Sequence, residues 1–306
     1  MIKDSNASSG AARAAYPILT ISVFFLALNH IIGRSVHEVM PPLGLTFWRW
    51  LLAVVILVPI VMVEFRATLA IYCTHWRAFL LLGGFIVGAT SLIMVALNFT
   101  SATNVALINA TQPALTVLFS WLFYGVRLRR VQVVGILVAF VGVLVMISQG
   151  TWRVLGNLEF NAGDLIALGS MLGFAGYSVR YVRLPGGLSP ARALFPIMLG
   201  GCALLLPFYI GESLLVKPVP INPTSIGAII SLALLVSLCA MLMWNAGMRM
   251  IGANRASIFI NLVPVFGALM AVVLLGERFE LYHLAGMVFV TAGVWLVVGS
   301  PLTRSA

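Results

Sequence analysis

Ten apolar segments, each long enough to cross a lipid bilayer, dominate this chain. Crossing about 30 Å of hydrocarbon takes about 20 apolar residues in an α-helix. We number these segments spans 1 to 10, at residues 17–37, 43–63, 78–99, 102–124, 131–148, 163–183, 190–210, 225–249, 253–275 and 283–299. The connections between them are mostly short and leave no room for a soluble domain. The pattern therefore predicts an all-α polytopic membrane protein with ten transmembrane helices.

The shortage of charged residues excludes a soluble enzyme. Only 8% of the residues are charged and 61% are hydrophobic, whereas a soluble domain carries about 25% charged residues. The net charge of +10 is scattered between apolar runs and forms no basic face interleaved with aromatic residues. We therefore expect the lipid bilayer as a partner and no nucleic acid.

The distribution of positive charge predicts the orientation in the membrane. With the N-terminus inside, 13 of the 18 Lys and Arg residues fall on the inner side, as cytoplasmic loops of membrane proteins require. The outer side then carries Arg34, Arg49, Arg153, Lys217 and Arg278. This count predicts an integral protein of a bacterial inner membrane with both termini cytoplasmic. We interpret residues 1–16 as a disordered cytoplasmic tail and residues 301–306 as a second cytoplasmic tail.

Motifs for catalysis or metal binding are missing from the sequence. The three cysteines, Cys73, Cys202 and Cys239, lack metal-ligand spacing. No HExxH, GxSxG, Cys/His cluster or pair of intramembrane carboxylates is present. We therefore expect no cofactor and no metal, and consider a membrane-embedded enzyme a weaker alternative. An accessory subunit is another alternative, although it would have no need for polar stripes inside its helices.

The two halves of the sequence resemble each other. A shift of 151 residues aligns Pro113 with Pro264, Gly125 with Gly276, Arg127 with Arg278, Gly135 with Gly286, and Gly142 with Gly293. Nearer the start of each half, a shift of 143 aligns Pro42, Gly44, Leu45 and Arg49 with Pro185, Gly187, Leu188 and Arg192. Each half, 17–150 and 151–300, holds five spans, so the second repeat starts on the opposite side and is inverted. Inverted repeats predict a substrate site in a central cavity near the membrane midplane.

The second repeat also carries a recognisable motif. It runs Asn261-Leu-Val-Pro264, then Leu275-Gly276-Glu277-Arg278, then Gly286 and Gly293. This outline resembles the second half of the drug/metabolite transporter superfamily, and more narrowly its ten-helix EamA branch. The first repeat has the same outline, with Val126 where members of the family often carry Glu. As a whole, the chain is similar to the bacterial aromatic amino-acid exporters of this branch, and the resemblance implies transport of a small molecule.

Polar residues within the spans are candidates for lining the cavity. Asn109, Gln112, Thr116 and Ser120 in span 4 are spaced as one stripe along a helix. Similar stripes predict a cavity lined by spans 1, 3, 4, 6, 8 and 9, as the family resemblance also implies. The candidate substrate-binding residues are Asn29, His30, Asn98, Asn109, Gln112, Tyr177, Trp244, Asn245 and Asn261. As alternatives, the amides could join helices to each other, and Tyr177 and Trp244 could belong to the aromatic belt.

Several residues have two interpretations that the sequence leaves open. Pro113 and Pro264 lie mid-span, and each could be a gating hinge or a static kink. His30 could couple transport to protons or be a neutral residue bonded to a neighbour. Trp48 and Trp50 lie near a helix end, which favours a belt or a gate over contact with substrate.

Together these features predict a secondary transporter that exports small amphipathic metabolites, above all aromatic amino acids, by alternating access. An uncharged cavity of amides and aromatic rings suits a solute with no net charge. No Asp or Glu lies mid-span, which favours facilitated diffusion or weak coupling through His30. An alternative substrate is a phosphorylated sugar, which would need Arg34 or Arg180 in the cavity. Two complete repeats in one chain mean that a monomer can suffice.

Overall fold

Helices form all the regular secondary structure in the part of the chain that this computed structural model describes. That part comprises residues 3–36, 38–63, 65–100, 102–126, 129–148, 161–275 and 280–299. In the first repeat the α-helices are α1 (Lys3–Val36), α2 (Pro42–Met62), α3 (Phe65–Ala96), α4 (Ala102–Asn109), α5 (Gln112–Tyr124) and α6 (Arg130–Ile147). In the second they are α7 (Ala162–Tyr181), α8 (Pro190–Leu215), α9 (Pro223–Ser231), α10 (Met241–Ile251), α11 (Ala253–Ser257), α12 (Leu262–Leu275) and α13 (Leu281–Gly299).

Nine of the predicted spans are helical segments long and apolar enough to cross a membrane, counted over the described residues. The exception is span 4, which divides into α4 with 8 residues and α5 with 13. Pro113 explains the division, because its ring clashes with the carbonyl of Asn109 and it has no N–H to donate there. The polar stripe predicted along span 4 is therefore interrupted after Asn109.

The N-terminal segment differs from the prediction. Helix α1 already begins at Lys3 and contains Pro17 as an internal residue, so a disordered tail over residues 1–16 is wrong from Lys3 onwards. The segment is rich in alanine, the best helix former. It forms one continuous helix with the first span. The predicted second tail, residues 301–306, lies outside the described residues.

Helices α6 and α13 are equivalent in the two repeats, and they pack against each other antiparallel. A Cβ atom on Gly135 would lie 2.8 Å from the carbonyl oxygen of Gly293, and one on Gly142 would lie 2.8 Å from that of Gly286. Gly135 is the sequence equivalent of Gly286, and Gly142 of Gly293. The contact between Gly135 and Gly293 is therefore equivalent to the contact between Gly286 and Gly142. A two-fold axis that relates inverted repeats requires such a pair of equivalent contacts.

Other helix pairs follow the same symmetry. Span 1 packs on span 8 through α1 and α10, and the equivalent pair, spans 6 and 3, packs through α7 and α3. Spans 2 and 7, which are equivalent to each other, meet as α2 and α8. This arrangement confirms the predicted fold of two inverted five-helix repeats.

Two further spans depart from α-helical geometry. Span 8 contains a π-helix at Leu232–Ala240, and Ser22 of α1 donates a hydrogen bond of 2.8 Å to the Ala240 carbonyl at its end. Span 9 contains a 3₁₀-helix at Ile258–Asn261, directly before α12. Pro264 stands four residues after Ile260, as Pro113 stands four after Asn109. The two prolines therefore interrupt their spans at equivalent positions.

Helices α2 and α8 contact each other at one end of the bundle, and we name these contacts the α2–α8 clamp. The Glu212 carboxylate of α8 accepts hydrogen bonds from Leu43 N at 3.1 Å and Gly44 N at 2.7 Å. These N–H groups belong to the first turn of α2, where no helical carbonyl can accept from them. Beside them, Trp48 Nε1 donates to Tyr209 OH at 3.0 Å. The clamp therefore joins the two repeats.

Candidate functional site

A cavity lies between the two repeats where the helices are interrupted. Its volume is about 110 Å³, taken as the space open to the centre of a water molecule. A single water needs at least about 10–15 Å³ by this measure, so the cavity has room for several waters or a small solute. Non-α-helical backbone inside a membrane protein is tolerated where it lines such a cavity.

The broken spans 4 and 9 contribute equivalent positions to the cavity wall. Asn109 and Gln112 flank the break in span 4, and Ile260 and Val263 occupy the equivalent positions in span 9. The first repeat thus presents two amides where the second presents two aliphatic side chains. Equivalent backbone positions of the two repeats therefore line the cavity, but their side chains are polar in the first repeat and apolar in the second.

Arg49 supplies a charge that the sequence analysis did not place in the cavity. It lies in the eighth position of α2, is 2% exposed, and lines the cavity. Its Nη1 donates to Asn29 Oδ1 at 2.6 Å, while its buried Nε has no acceptor among the described residues. The assignment of Arg49 to an outer loop is wrong, and so is the expectation of an uncharged cavity.

The acidic side chains that the structure describes lie away from Arg49. Asp164, at the start of α7, accepts from Thr100 and Asn104 at 2.5 and 3.1 Å. Glu212 belongs to the α2–α8 clamp, and Glu38 and Glu280 are exposed. Within the described ranges, none of these four carboxylates lines the cavity beside the guanidinium.

Three buried acceptors on residues that line the cavity have no partner within the part of the chain that the structure describes. They are Asn109 Oδ1, Gln112 Oε1 and Ser237 Oγ, the last within the π-helix. Gln112 Nε2 is occupied, because it donates to Thr116 Oγ1 at 2.9 Å. A buried polar group without a hydrogen bond costs about 1–3 kcal/mol. These atoms therefore require water or a polar ligand inside the cavity.

The rest of the wall is apolar and partly aromatic. Trp50 and Phe174 contribute rings, and Leu26, Ile93 and Met241 contribute aliphatic and thioether groups. Trp50 is 2% exposed and lines the cavity, so its placement in the aromatic belt is wrong, while a role in a gate stays a prediction; Trp48 belongs to the clamp. Spans 1, 3, 4, 6, 8 and 9 all contribute to the wall, and span 2 joins them through Arg49 and Trp50.

The structure brings only some of the candidate residues to the cavity. Asn29, Asn109 and Gln112 line it. Tyr177 and Asn245 are fully buried behind the wall, where Tyr177 OH donates to Asn245 Oδ1 at 2.9 Å. Trp244 is also fully buried and packs on Phe174, with ring centroids 5.9 Å apart.

The remaining candidates lie elsewhere. Asn98 is in the turn after α3, is exposed, and bonds only to nearby backbone carbonyls. Asn261 is buried but does not line the cavity; its neighbour Ile260 does. The side chains of His30 and Arg34 fall outside the described part of the structure. Pro113 and Pro264 lie just after the two helix breaks, and their role as gates stays a prediction.

We expect the substitution Tyr177→Phe to change stability more than transport. It removes the hydroxyl that Asn245 Oδ1 accepts from, and such interhelical bonds in membranes contribute about 0.6–2 kcal/mol. Thermal unfolding in detergent is expected to show a small fall in Tm, with KM close to that of the wild type. A large rise in KM with unchanged Tm would instead show that Tyr177 contacts the substrate.

Comparison with known proteins agrees with this architecture. The EamA-like transporter family matches the chain twice, over residues 13–148 and 161–299, so both repeats carry the family pattern. The chain is 31% identical over 220 residues to "Uncharacterized transporter YyaM" of Bacillus subtilis, covering 70% of each protein. It is 27% identical to the "Probable amino-acid metabolite efflux pump" of Salmonella typhimurium, covering 91% of this chain and 93% of that protein.

A crystal structure shares the fold. It superposes with a TM-score of 0.73 at 20% sequence identity, over 93% of this chain and 96% of the other. The family match to both halves, the relatives and the shared architecture agree: the chain belongs to the EamA-like transporter family.

Proposed function

We propose that this membrane transporter exports small amphipathic metabolites, and that amino acids, the aromatic ones above all, are its substrates. The observation that carries the proposal is the cavity, in which unpaired polar atoms face apolar and aromatic walls. An aromatic amino acid matches this combination, because its ammonium and carboxylate groups are charged and its side chain is apolar. The efflux pump of Salmonella typhimurium, named for amino-acid metabolites, supports both the substrate class and the direction.

Transport proceeds by alternating access between the two inverted repeats. The cavity lies where the equivalent spans 4 and 9 are broken, and Pro113 and Pro264 serve as hinges there. Repeats 17–150 and 151–300 move against each other around the cavity. Both termini are cytoplasmic in a bacterial inner membrane, and one chain holds a complete transport unit.

A phosphorylated sugar is the second candidate substrate, because Arg49 provides the cation that a phosphate needs. Two features favour the amino acid over it. A phosphate monoester carries close to two negative charges at neutral pH, whereas among the described lining residues Arg49 is the one cation. The apolar walls also offer few partners for the hydroxyl groups of a sugar.

Uptake into proteoliposomes tests the proposal. Radiolabelled phenylalanine, tryptophan, threonine and a sugar phosphate are each measured with and without a pH gradient. We expect saturable amino-acid uptake that the gradient does not change. Uptake of the sugar phosphate alone would overturn the proposed substrate class, and strict dependence on the gradient would assign proton coupling.

Replacing Asn109 or Gln112 by leucine tests the cavity as the substrate site. Each change removes an unpaired acceptor and keeps a side chain of similar size, so we expect the affinity for amino acids to fall about tenfold or more. The measurement is the KM of uptake, with size-exclusion chromatography as the check on folding. Tyr177→Phe is the matched control, since it also removes a buried polar group but lies behind the wall. Unchanged KM in both leucine variants would place the substrate elsewhere.

A further inference from the structure

The guanidinium of Arg49 is buried in the cavity wall, and none of the described carboxylates lies beside it. We infer that Arg49 binds the carboxylate of the transported molecule and that Asn29 holds the guanidinium in position for it. This inference rests on the proposed function and makes it more specific: the transporter recognises substrates by a carboxylate, and an amine alone does not suffice. Neither residue is assigned a role by the family match or by the relatives.

Burying the positive charge of Arg49 costs free energy unless a partner compensates for it. Arg49 is 2% exposed within a membrane-spanning helix, and a buried charge requires an opposite charge or a full set of hydrogen bonds. Its partner is the neutral Asn29 Oδ1, at 2.6 Å, and its Nε has none among the described side chains and backbone groups. A planar guanidinium matches a carboxylate geometrically, so a substrate carboxylate supplies the missing charge and the missing acceptor.

Among the described lining residues, the first repeat contributes a cation to the cavity and the second contributes none. Arg192 is the sequence equivalent of Arg49 in the second repeat, but it lies in the first turn of α8, away from the cavity wall. Arg49 lies about two turns into α2, roughly 10 Å from the start of the helix. Because the cation sits on one side only, the carboxylate end of a substrate has one place to bind.

The remaining unpaired atoms of the wall complete the fit to an amino acid. Asn109 Oδ1, Gln112 Oε1 and Ser237 Oγ can accept hydrogen bonds, which is what an ammonium group needs. They carry no charge, so they hold an ammonium group more weakly than Arg49 holds a carboxylate. The structure thus assigns recognition mainly to the carboxylate, with the ammonium group as a secondary contact.

A series of four phenylalanine-like compounds tests this order. Phenylalanine uptake into proteoliposomes is competed with 3-phenylpropionate, which lacks the amine, and with phenethylamine and phenylalaninamide, which lack the carboxylate. We expect 3-phenylpropionate to inhibit at concentrations about tenfold lower than either amine. Equal or stronger inhibition by the amines would overturn the inference while leaving amino-acid transport in place.

The substitution Asn29→Asp tests the pair directly, with almost no change in shape. The new carboxylate pairs with Arg49 inside the protein and competes with the substrate carboxylate. We expect the KM for phenylalanine to rise about tenfold or more, inhibition by 3-phenylpropionate to disappear, and the protein to stay folded. Unchanged KM and unchanged inhibition would contradict the assignment.

The substitution Arg49→Gln removes the charge but keeps a hydrogen-bond donor for Asn29. We expect it to abolish the preference for 3-phenylpropionate over phenethylamine, while the matched control Arg192→Gln retains it. If Arg49→Gln does not fold, Asn29→Asp and the wild-type inhibition series still decide. If the wild type transports no amino acid at all, the proposed function fails; if it transports amino acids without preferring the carboxylate, only the role of Arg49 fails.

Discussion

Replacing Gly142 by leucine is expected to abolish the folded protein. A Cβ atom at this position would lie 2.7 Å from Val290 N and 2.8 Å from the Gly286 carbonyl oxygen. These are backbone atoms of α13, so they cannot turn away as a flexible side chain could. Overpacking a tight interior costs about 1–3 kcal/mol for small additions, and a leucine would force α6 and α13 apart. The measurement is the yield of monodisperse protein in detergent.

A smaller substitution at Gly142 allows the loss of stability to be measured. Gly142→Ala adds one methyl group and is expected to destabilise the protein by about 1–3 kcal/mol, seen as a fall in Tm. Gly88→Ala is the matched control, because among the described residues no atom apart from the backbone of its own helix lies within 4 Å of a Cβ there. Alanine favours helix over glycine, so the control should keep or raise Tm. Equal falls in both variants would show that close packing of α6 on α13 is not the cause.

The glycine pairs also show how far a sequence can predict this fold. The glycines at 135, 142, 286 and 293 revealed the repeat. Matches between glycines are informative in this sequence, whereas matches between apolar residues are expected by chance in so apolar a chain. The repeat predicted the inverted fold, and hydrophobic length predicted ten spans, nine of which are helical segments long and apolar enough to cross a membrane, counted over the described residues. Which glycines touch could not be read from the repeat alone, because it gives equivalence between helices and not contact between them.

The breaks in the spans were only partly predictable. Pro113 and Pro264 gave a local signal for spans 4 and 9, because a proline removes a hydrogen bond to the residue four before it. The π-helix at Leu232–Ala240 gave none, since it holds no proline or glycine and Ser237 is the one polar residue in an otherwise apolar stretch. Its geometry depends on contacts with neighbouring helices. One of these contacts is the hydrogen bond that the Ser22 side chain of α1 donates to the Ala240 carbonyl.

The cavity residues were harder to predict than the fold. Asn29, Asn109 and Gln112 reached the wall, but Asn98, Tyr177, Trp244, Asn245 and Asn261 did not. Helical spacing shows that two residues share a face, and it cannot show whether that face meets the cavity or another helix. Arg49 was missed because charges near a span were counted as loop residues. The signal was present: with Pro42 as the start of α2, Arg49 stands two turns inside it.

A disulfide beside the α2–α8 clamp, between position 44 of α2 and position 219 in the connection that follows α8, is expected to stop transport. The position of a Cβ atom on Gly44 lies against Val219 Cγ2, so cysteines at 44 and 219 would have Cβ atoms about 4 Å apart or less, within disulfide range. Oxidation would tie the two repeats together at the end that we propose to be outer. Alternating access requires this end to open, so we expect uptake to fall more than about tenfold on oxidation and to return on reduction.

The cross-link needs a background without Cys73, Cys202 and Cys239, and two controls in it. One is Val219→Cys alone; the other is Gly44→Cys with Val219→Ala, which avoids the clash with valine. Neither control can form the bond, so oxidation should leave its uptake unchanged. Normal uptake by the fully oxidised double variant would show that the clamp stays closed during transport. Substrate would then leave the cavity by a route that does not separate α2 from α8, and rocking of the two repeats would no longer describe the mechanism.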